Sequence, residues 1–314
     1  MYDLPRLIFM GTPTFAVPSL RALLDAGAPI LLVVTQPDRP RGRGRRVEAP
    51  PVKQLAQERG LPIYQPEKVK SPEAVERITA LGPSCLVVVA YGQLLPAEIL
   101  EIPPLGTVNV HASLLPKYRG PAPIHWALIQ GEAETGVTTM LLDAGMDTGD
   151  ILLQRKAVIQ PEETAGSLHD KLAEEGSKVL VETLALLQQG GLKPRAQDSS
   201  QATYAPMLAK EDGKVNWHEA AKRICCRIRA LDPWPGGFTS WRGKRLKLFG
   251  CHALSISTQA EPGTVIAAAE DGLQVAAGEG AVLIETLQLE GGRPLAVPDF
   301  LRGHHFQVED KLGE

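Results

Sequence analysis

Two stretches of this 314-residue chain carry side chains suited to moving a proton: Asn109-Val110-His111, and Asp143-Ala144-Gly145-Met146-Asp147-Thr148-Gly149-Asp150. Thr107 to His111 reads as a strand, and a period of two places Asn109 and His111 on one face at its carboxyl end. There a carboxamide can donate to a developing oxyanion while an imidazole moves a proton near neutral pH. A lone histidine in such a strand is commonly a satisfied core residue, and an asparagine can simply open a turn; the same-face pairing is what brings the catalytic reading level with that one. The aspartate run follows a second strand-like stretch, Val137 to Leu142, and forms a tight loop able to offer the histidine a carboxylate that fixes its tautomer. Asp and Gly are also ordinary turn residues, and spacing does not choose among Asp143, Asp147 and Asp150.

Other chemistries lack their signatures. The first apolar run leads into Gly11-Thr12-Pro13-Thr14-Phe15-Ala16, where a dinucleotide fingerprint needs G-x-G-x-x-G, and no phosphate loop of the form G-x-x-x-x-G-K-[ST] occurs. A nicotinamide enzyme is therefore a poor reading. With no HExxH or EF-hand loop, and histidines scattered apart from His304-His305, no metal is expected. Cys85, Cys225, Cys226 and Cys251 make no CxxC and read as buried thiols.

The elements that must hold these residues alternate in kind. Leu7–Met10, Ile30–Val34 and Leu86–Val89 are continuous apolar runs, the pattern of strands covered on both faces. Between them 19–26, 51–59 and 73–81 have helical composition and end at glycine, and 164–189 reads as one long closing helix. This β-α alternation predicts a Rossmann-like open, mostly parallel α/β sheet over residues 1–189. Gly190-Gly191 opens a polar stretch, taken as a linker over 190–209. Beyond it come a helix over 217–231 and short glycine-punctuated strands near 238–241, 245–249, 264–268, 273–277 and 282–287, which predict a smaller β-barrel-like (OB-like) domain over 210–314.

Composition bounds the function. Hydrophobic residues make up 44% and charged residues 22%, as in ordinary globular proteins, and a net charge of −3 excludes a generally basic nucleic-acid coat while leaving room for local patches. The longest apolar run, Cys85 to Tyr91, falls far short of the roughly 20 residues that span a bilayer, and no secretory leader is evident. A cytoplasmic protein, without a membrane partner, is the expectation.

The segment from Asn109 to Gly120 (NVHASLLPKYRG) together with Asp143–Asp150 resembles the folate-dependent formyltransferases. Supporting matches are Gly11-Thr12-Pro13, Thr35-Gln36-Pro37-Asp38-Arg39-Pro40, Val88-Val89-Ala90-Tyr91-Gly92 and Asp232-Pro233-Trp234-Pro235, so the likeness runs from about residue 6 to 300. Ala112 stands where Gly is common and Pro121 where Ala is common, and neither change removes a functional group. The resemblance implies that Asn109, His111 and Asp147 are the catalytic trio, and it is this likeness that selects Asp147 among the aspartates. It further implies that Ser113, Leu114, Leu115 and Pro116 bind 10-formyltetrahydrofolate as co-substrate, with Val89, Tyr91 and Asp143 lining the pterin pocket. The implied activity is formyl transfer to an amine without a metal or a covalent enzyme intermediate.

The amine is a separate question. Arg39, Arg41, Arg43, Arg45 and Arg46 place five cations within eight residues; residues 210–250 carry ten Lys and Arg against four Asp and Glu, and residues 251–314 carry three against ten. Two separated basic regions suit an extended polyanion, and together with the resemblance they imply initiator methionyl-tRNA as partner of a monomeric enzyme, with the five arginines contacting it. A sugar-nucleotide amine, water in a formyl-folate hydrolase, and an RNA-binding protein on a decayed scaffold are the competing readings. The loop from Gln36 to Pro50 is expected to hold neither helix nor strand, because its arginines repel and its glycines and prolines interrupt regular structure.

Overall fold

The computed structural model describes residues 3–41 and 46–313. The amino-terminal elements are β1 (Leu7–Gly11), α1 (Val17–Asp25), β2 (Ile30–Val34), β3 (Arg39–Arg41), β4 (Arg46–Glu48), α2 (Pro51–Glu58), β5 (Ile63–Tyr64) and α3 (Pro72–Ala80). They are followed by β6 (Cys85–Val89), α4 (Ala97–Leu100), β7 (Thr107–His111), α5 (Pro123–Ile129), β8 (Glu134–Leu141), β9 (Ile151–Val158) and α6 (Ala165–Gln188). The rest comprises α7 (Ala221–Ala230), β10 (Phe238–Trp241), β11 (Lys244–Leu254), β12 (Val265–Ala269), β13 (Gly272–Ala276), β14 (Ala281–Leu289), β15 (Leu295–Ala296) and α8 (Val297–Leu301).

The chain divides into two compact units, the first formed by Met1–Gly120, Glu134–Val158 and His169–Tyr204, the second by Pro121–Ala133, Ile159–Leu168 and Ala205–Glu314. In the first unit seven strands run in the order β5-β2-β1-β6-β7-β8-β9. The five from β5 to β7 are parallel, and β8 and β9 add antiparallel to that edge. Every residue of β1 and of β6 is buried, which is why their sequences are uninterruptedly apolar. Helices α1, α2 and α3 are each followed by a glycine with positive φ (Gly27, Gly60 and Gly82), the left-handed stop their carboxyl ends require.

The arginine loop departs from expectation. Its flanks pair as the antiparallel ribbon β3–β4, with Arg39 opposite Glu48 and Pro40 opposite Val47. Proline tolerates such a two-stranded edge because its missing N–H can face away from the ladder. The ribbon is anchored at its base, where Asp38 accepts from Gln65 Nε2 at 2.8 Å and from Lys53 Nζ at 2.7 Å.

The second unit is a six-stranded antiparallel sheet, β10-β11-β14-β13-β12 with β15 beside β14, over which α7 packs on β11 and β14. Helix α5 lies against α7. The helix expected from residue 217 begins only at Ala221, because residues 217–221 spend their backbone groups elsewhere: Gly278 N donates to the Trp217 carbonyl and Ala221 N donates to Glu279. Among the described residues no helix is long and apolar enough to cross a membrane.

Candidate active site

Strand order reverses at β1. The chain first adds β2 and β5 on one side and then β6 and β7 on the other, and ligands of open α/β sheets gather beyond strand carboxyl ends at such a switch. Gly11 and Val89 end β1 and β6 side by side. A side chain at Gly11 would stand 2.9 Å from the Ala16 methyl and 3.0 Å from the Val89 carbonyl oxygen, so glycine is required for the two strands to end this close. Across the gap Thr12 Oγ1 donates to the Tyr91 carbonyl at 2.8 Å, tying the two loops together.

Next to β6, β7 carries Asn109 and His111 on one face. Asn109 is half-buried and its carboxamide forms no hydrogen bond with the described residues, whereas His111 is buried and committed on both sides. Its Nε2 lies 2.9 Å from the Tyr118 carbonyl, which can only accept, so Nε2 carries a hydrogen. Tyr118 itself holds the left-handed φ of 59°, a costly conformation that turns this carbonyl toward the ring. Nδ1 is thus the nitrogen left to gain or lose a proton, and it faces Asp147 Oδ2 at 3.7 Å. That separation is within ion-pair range yet too long for a hydrogen bond, so a proton on Nδ1 is balanced by the carboxylate without being locked to it.

Asp147 is presented by the loop between β8 and β9. It adopts a φ of 53°, which aspartate tolerates better than most residues, and its Oδ2 accepts from Gly120 N at 2.8 Å. A side chain at Gly149 would collide with the Leu141 carbonyl, so glycine there closes the loop. The neighbouring aspartates do other work: Asp143 is exposed and its Oδ1 accepts from Gly145 N at 3.0 Å and Thr148 Oγ1 at 2.7 Å. Of the three candidates, Asp147 is the one paired with the histidine.

The remaining expected site residues are distributed unevenly. Ser113 is fully buried, and its hydroxyl donates to the Lys117 carbonyl at 2.6 Å. Leu115 is buried too, with its N–H donating to Thr138 Oγ1 at 3.2 Å and its carbonyl accepting from Gln154 Nε2 at 2.9 Å; Leu114 and Pro116 are half-buried. Val89 is enclosed within the sheet. Tyr91 is buried, with a hydroxyl that finds no partner among the described residues and is pushed up to about 12 by burial and then by the nearby Tyr64. Arg39 is exposed at the ribbon, the backbones of Arg41 and Arg46 pair across it, and Arg43 and Arg45 lie outside the described residues. Gln65 and then Lys53 hold the Asp38 carboxyl below its ordinary range.

Two residues escaped the sequence reading. Gln197, in the stretch taken as a linker, donates from Nε2 to the carbonyls of Asp147 at 2.8 Å and Gly149 at 2.7 Å. Arg119 is buried and donates to Gln197 Oε1 from Nε at 3.1 Å and Nη2 at 2.8 Å. Nothing local in a Gln-Asp-Ser-Ser run signals a contact with a loop some 50 residues earlier.

A doubly wound sheet whose β7 ends on a histidine faced by a carboxylate, followed by an antiparallel β unit, is an α/β fold with the makings of a proton-moving site at its strand ends. The chain belongs to the formyl transferase family: residues 5–184 match the formyl transferase domain and residues 207–305 match the formyl transferase C-terminal domain. It is 50% identical over 309 residues to the methionyl-tRNA formyltransferase of Desulforamulus reducens, covering 98% of both chains. Among solved structures it resembles HypX from Aquifex aeolicus in complex with tetrahydrofolic acid, with TM-score 0.63 and 19% identity over 98% of this chain and 51% of that one. It also resembles an N-formyltransferase from Helicobacter canadensis in complex with folinic acid and dTDP-3-aminofucose, with TM-score 0.66 and 17% identity over 89% of this chain and 98% of that one.

Proposed function

We propose that this enzyme transfers the formyl group of 10-formyltetrahydrofolate to the amino group of initiator methionyl-tRNA, as a monomer in the cytoplasm. The observation that carries the chemistry is the histidine held by Tyr118 and faced by Asp147, beside an uncommitted asparagine on the same strand face. As the amine adds to the formyl carbon, negative charge grows on the formyl oxygen, and the Asn109 amide with a protonated His111 Nδ1 are the donors able to meet it. Asp147 balances the imidazolium and keeps the ring from drifting. In net terms the amine loses one proton and the folate nitrogen gains one, so the site has to relay a proton rather than consume it. His111 Nδ1 and Asp147 form that relay.

Folate binding falls to the segment Ser113–Pro116 and to the crevice near Val89, Tyr91 and Asp143. The inward commitment of the Ser113 hydroxyl and the Leu115 backbone makes that segment a shaped wall, leaving contacts to backbone groups and apolar surface. The unpartnered Tyr91 hydroxyl is consistent with a ligand entering nearby. For the acceptor, full-length similarity to a methionyl-tRNA formyltransferase and the five arginines of the stretch 39–46 (Arg39, Arg41, Arg43, Arg45 and Arg46) favour tRNA over a sugar nucleotide. Formylation assays with charged initiator tRNA, a dTDP-amino sugar and no acceptor decide the matter. Product from the tRNA alone supports the proposal; product from the sugar, or deformylation without acceptor, sinks it.

A further inference from the structure

We infer that Arg119 and Gln197 form a polar clamp that positions Asp147 for transfer, an inference that rests on the catalytic reading of His111 and Asp147. The orientation of the Gln197 amide is over-determined. A guanidinium can only donate, so Oε1 must face Arg119; the carbonyls of Asp147 and Gly149 can only accept, so Nε2 must face them. Arg119 is 3% exposed and has no carboxylate within ion-pair distance among the described residues, so its charge is spent on this one amide. A buried cation on Oε1 polarises the amide and strengthens both N–H donors.

The target of those donors is the costly part of the loop. Asp147 sits at a positive φ, and the clamp grips the carbonyls on either side of Thr148 while Gly120 N holds the carboxylate itself. The same strand of chain is tied down on both flanks, where Arg119 N donates to the Thr203 carbonyl at 2.8 Å and Arg195 N donates to Ile151 at 2.9 Å. The stretch from 195 to 204 is therefore a brace for the Asp147 loop. Releasing it lets Asp147 shift relative to His111 without altering either side chain.

Gln197→Glu separates this role from simple stability. Glutamate still partners Arg119, now as an ion pair, but presents oxygens where the Asp147 and Gly149 carbonyls need donors. We expect a folded Q197E whose kcat falls about 10- to 100-fold, while KM for folate and for charged tRNA stays within about threefold, the signature of misplacement near 1 Å. Placed on D147N, whose residual rate is the reference, Q197E should cost no more than about twofold further, since the clamp acts through that carboxylate. Should Q197E fail to fold, Arg119→Lys, which keeps the charge but not the two-pronged grip, should show a smaller kcat loss with the same non-additivity. A folded clamp variant with wild-type kcat, or losses that multiply in the double variant, overturns the inference. Wild-type kcat in D147N overturns the active-site reading instead.

Discussion

Within the first unit His111, Ser113, Arg119, Thr138, Thr139 and Thr183 are all buried, whereas in the second the buried polar residues among those described are Thr239 and Thr264. Around the site this set is satisfied internally, while elsewhere in the unit the buried Thr35 and Thr107 hydroxyls find no partner among the described residues. Thr138 Oγ1 donates to the Ser113 carbonyl and accepts from Leu115 N and Gln154, and the hydroxyls of Thr139 and Thr183 meet at 2.7 Å. In the second unit Trp217 Nε1 donates to Thr239, while Ile224, Ile228, Leu246, Val275 and Ile284 make an aliphatic interior. Cations such as Lys222, Arg223, Lys244 and Arg245 stay exposed on it. The first unit thus adds to its apolar sheet core a buried polar network, where an orphaned partner costs about 1–3 kcal/mol, and the second is an apolar scaffold with charge outside. Lesions in the first should strike turnover, and lesions in the second should strike folding or binding.

The largest effect should come from the active strand. Asn109→Ala and His111→Ala are each expected to lower kcat by about 10²–10³-fold, the usual loss on removing one oxyanion donor. Single-turnover formylation with charged tRNA reads the effect, and filter binding should show tRNA affinity nearly intact. Wild-type turnover in either variant breaks the comparison, because the polar interior would then serve stability alone.

A truncation after residue 205 tests the second unit from the other side. Helix α5 precedes the whole carboxyl-terminal stretch in sequence yet packs on α7, burying Ile124, Ala127, Leu128 and Ile129. The fragment keeps every proposed catalytic residue but leaves that apolar face bare. At about 25 cal/mol per Å² of apolar surface, several kcal/mol of burial is lost and the fragment should self-associate. Size-exclusion chromatography checks this. A monodisperse fragment that still binds folate would show that α5 does not need α7 to cover it.

The thiols sharpen the contrast further. All four cysteines are free and buried: Cys85 in the first unit, and Cys225, Cys226 and Cys251 in the second. Burial pushes the Cys85 thiol up to about 12, and contact with Cys225 followed by burial pushes Cys251 well up as well. A raised folded value means that stability is whole below the unfolded value of about 8.5 and declines as pH rises above it. Native protein at pH 8 should resist iodoacetamide until urea unfolds it, and the urea midpoint should fall on the alkaline side. Rapid native labelling would show that a thiol is reachable and that Cys85 or Cys251 has a role beyond packing.

Much of this was legible beforehand because period and burial coincide. The apolar runs at 7–10, 30–34 and 86–89 became β1, β2 and β6 almost residue for residue, and the glycine stops fell where the helices end. Asn109 and His111 could be paired from strand period alone. Asp147 could not be singled out by spacing, since its distinction is a left-handed φ and a long-range hydrogen bond from Gly120. Gln197 was hidden for the same reason, as were β9, whose polar Gln154-Arg155-Lys156 centre masks a strand, and the β3–β4 ribbon, whose Pro40 argues against pairing.

The smallest effect belongs to the ribbon's anchor, a polar cluster at the first unit's surface rather than in its interior. Asp38 joins Lys53 and Gln65, and Gln65 Nε2 also donates to the Gln36 carbonyl at 2.8 Å, so one amide links both ends of the turn that launches β3. Because the Asp38 carboxyl is held low, its contribution is whole above the unfolded value of about 3.9 and fades as pH falls through the lower folded value. Asp38→Asn keeps an acceptor for Gln65 but loses the ion pair with Lys53. At pH 7 the cost should be under about 1 kcal/mol, as for other partly exposed pairs. Urea midpoints of the two proteins should differ slightly at pH 7, and the difference should narrow as pH falls below about 3.9. Catalytic turnover on folate should be unchanged, while productive tRNA binding weakens as the ribbon loosens at its base. A gap that does not narrow at all on acidification would show that the anchor works through shape and not through charge. A fall in kcat comparable to that of His111→Ala would mean that surface and interior polar groups are not separable in this unit.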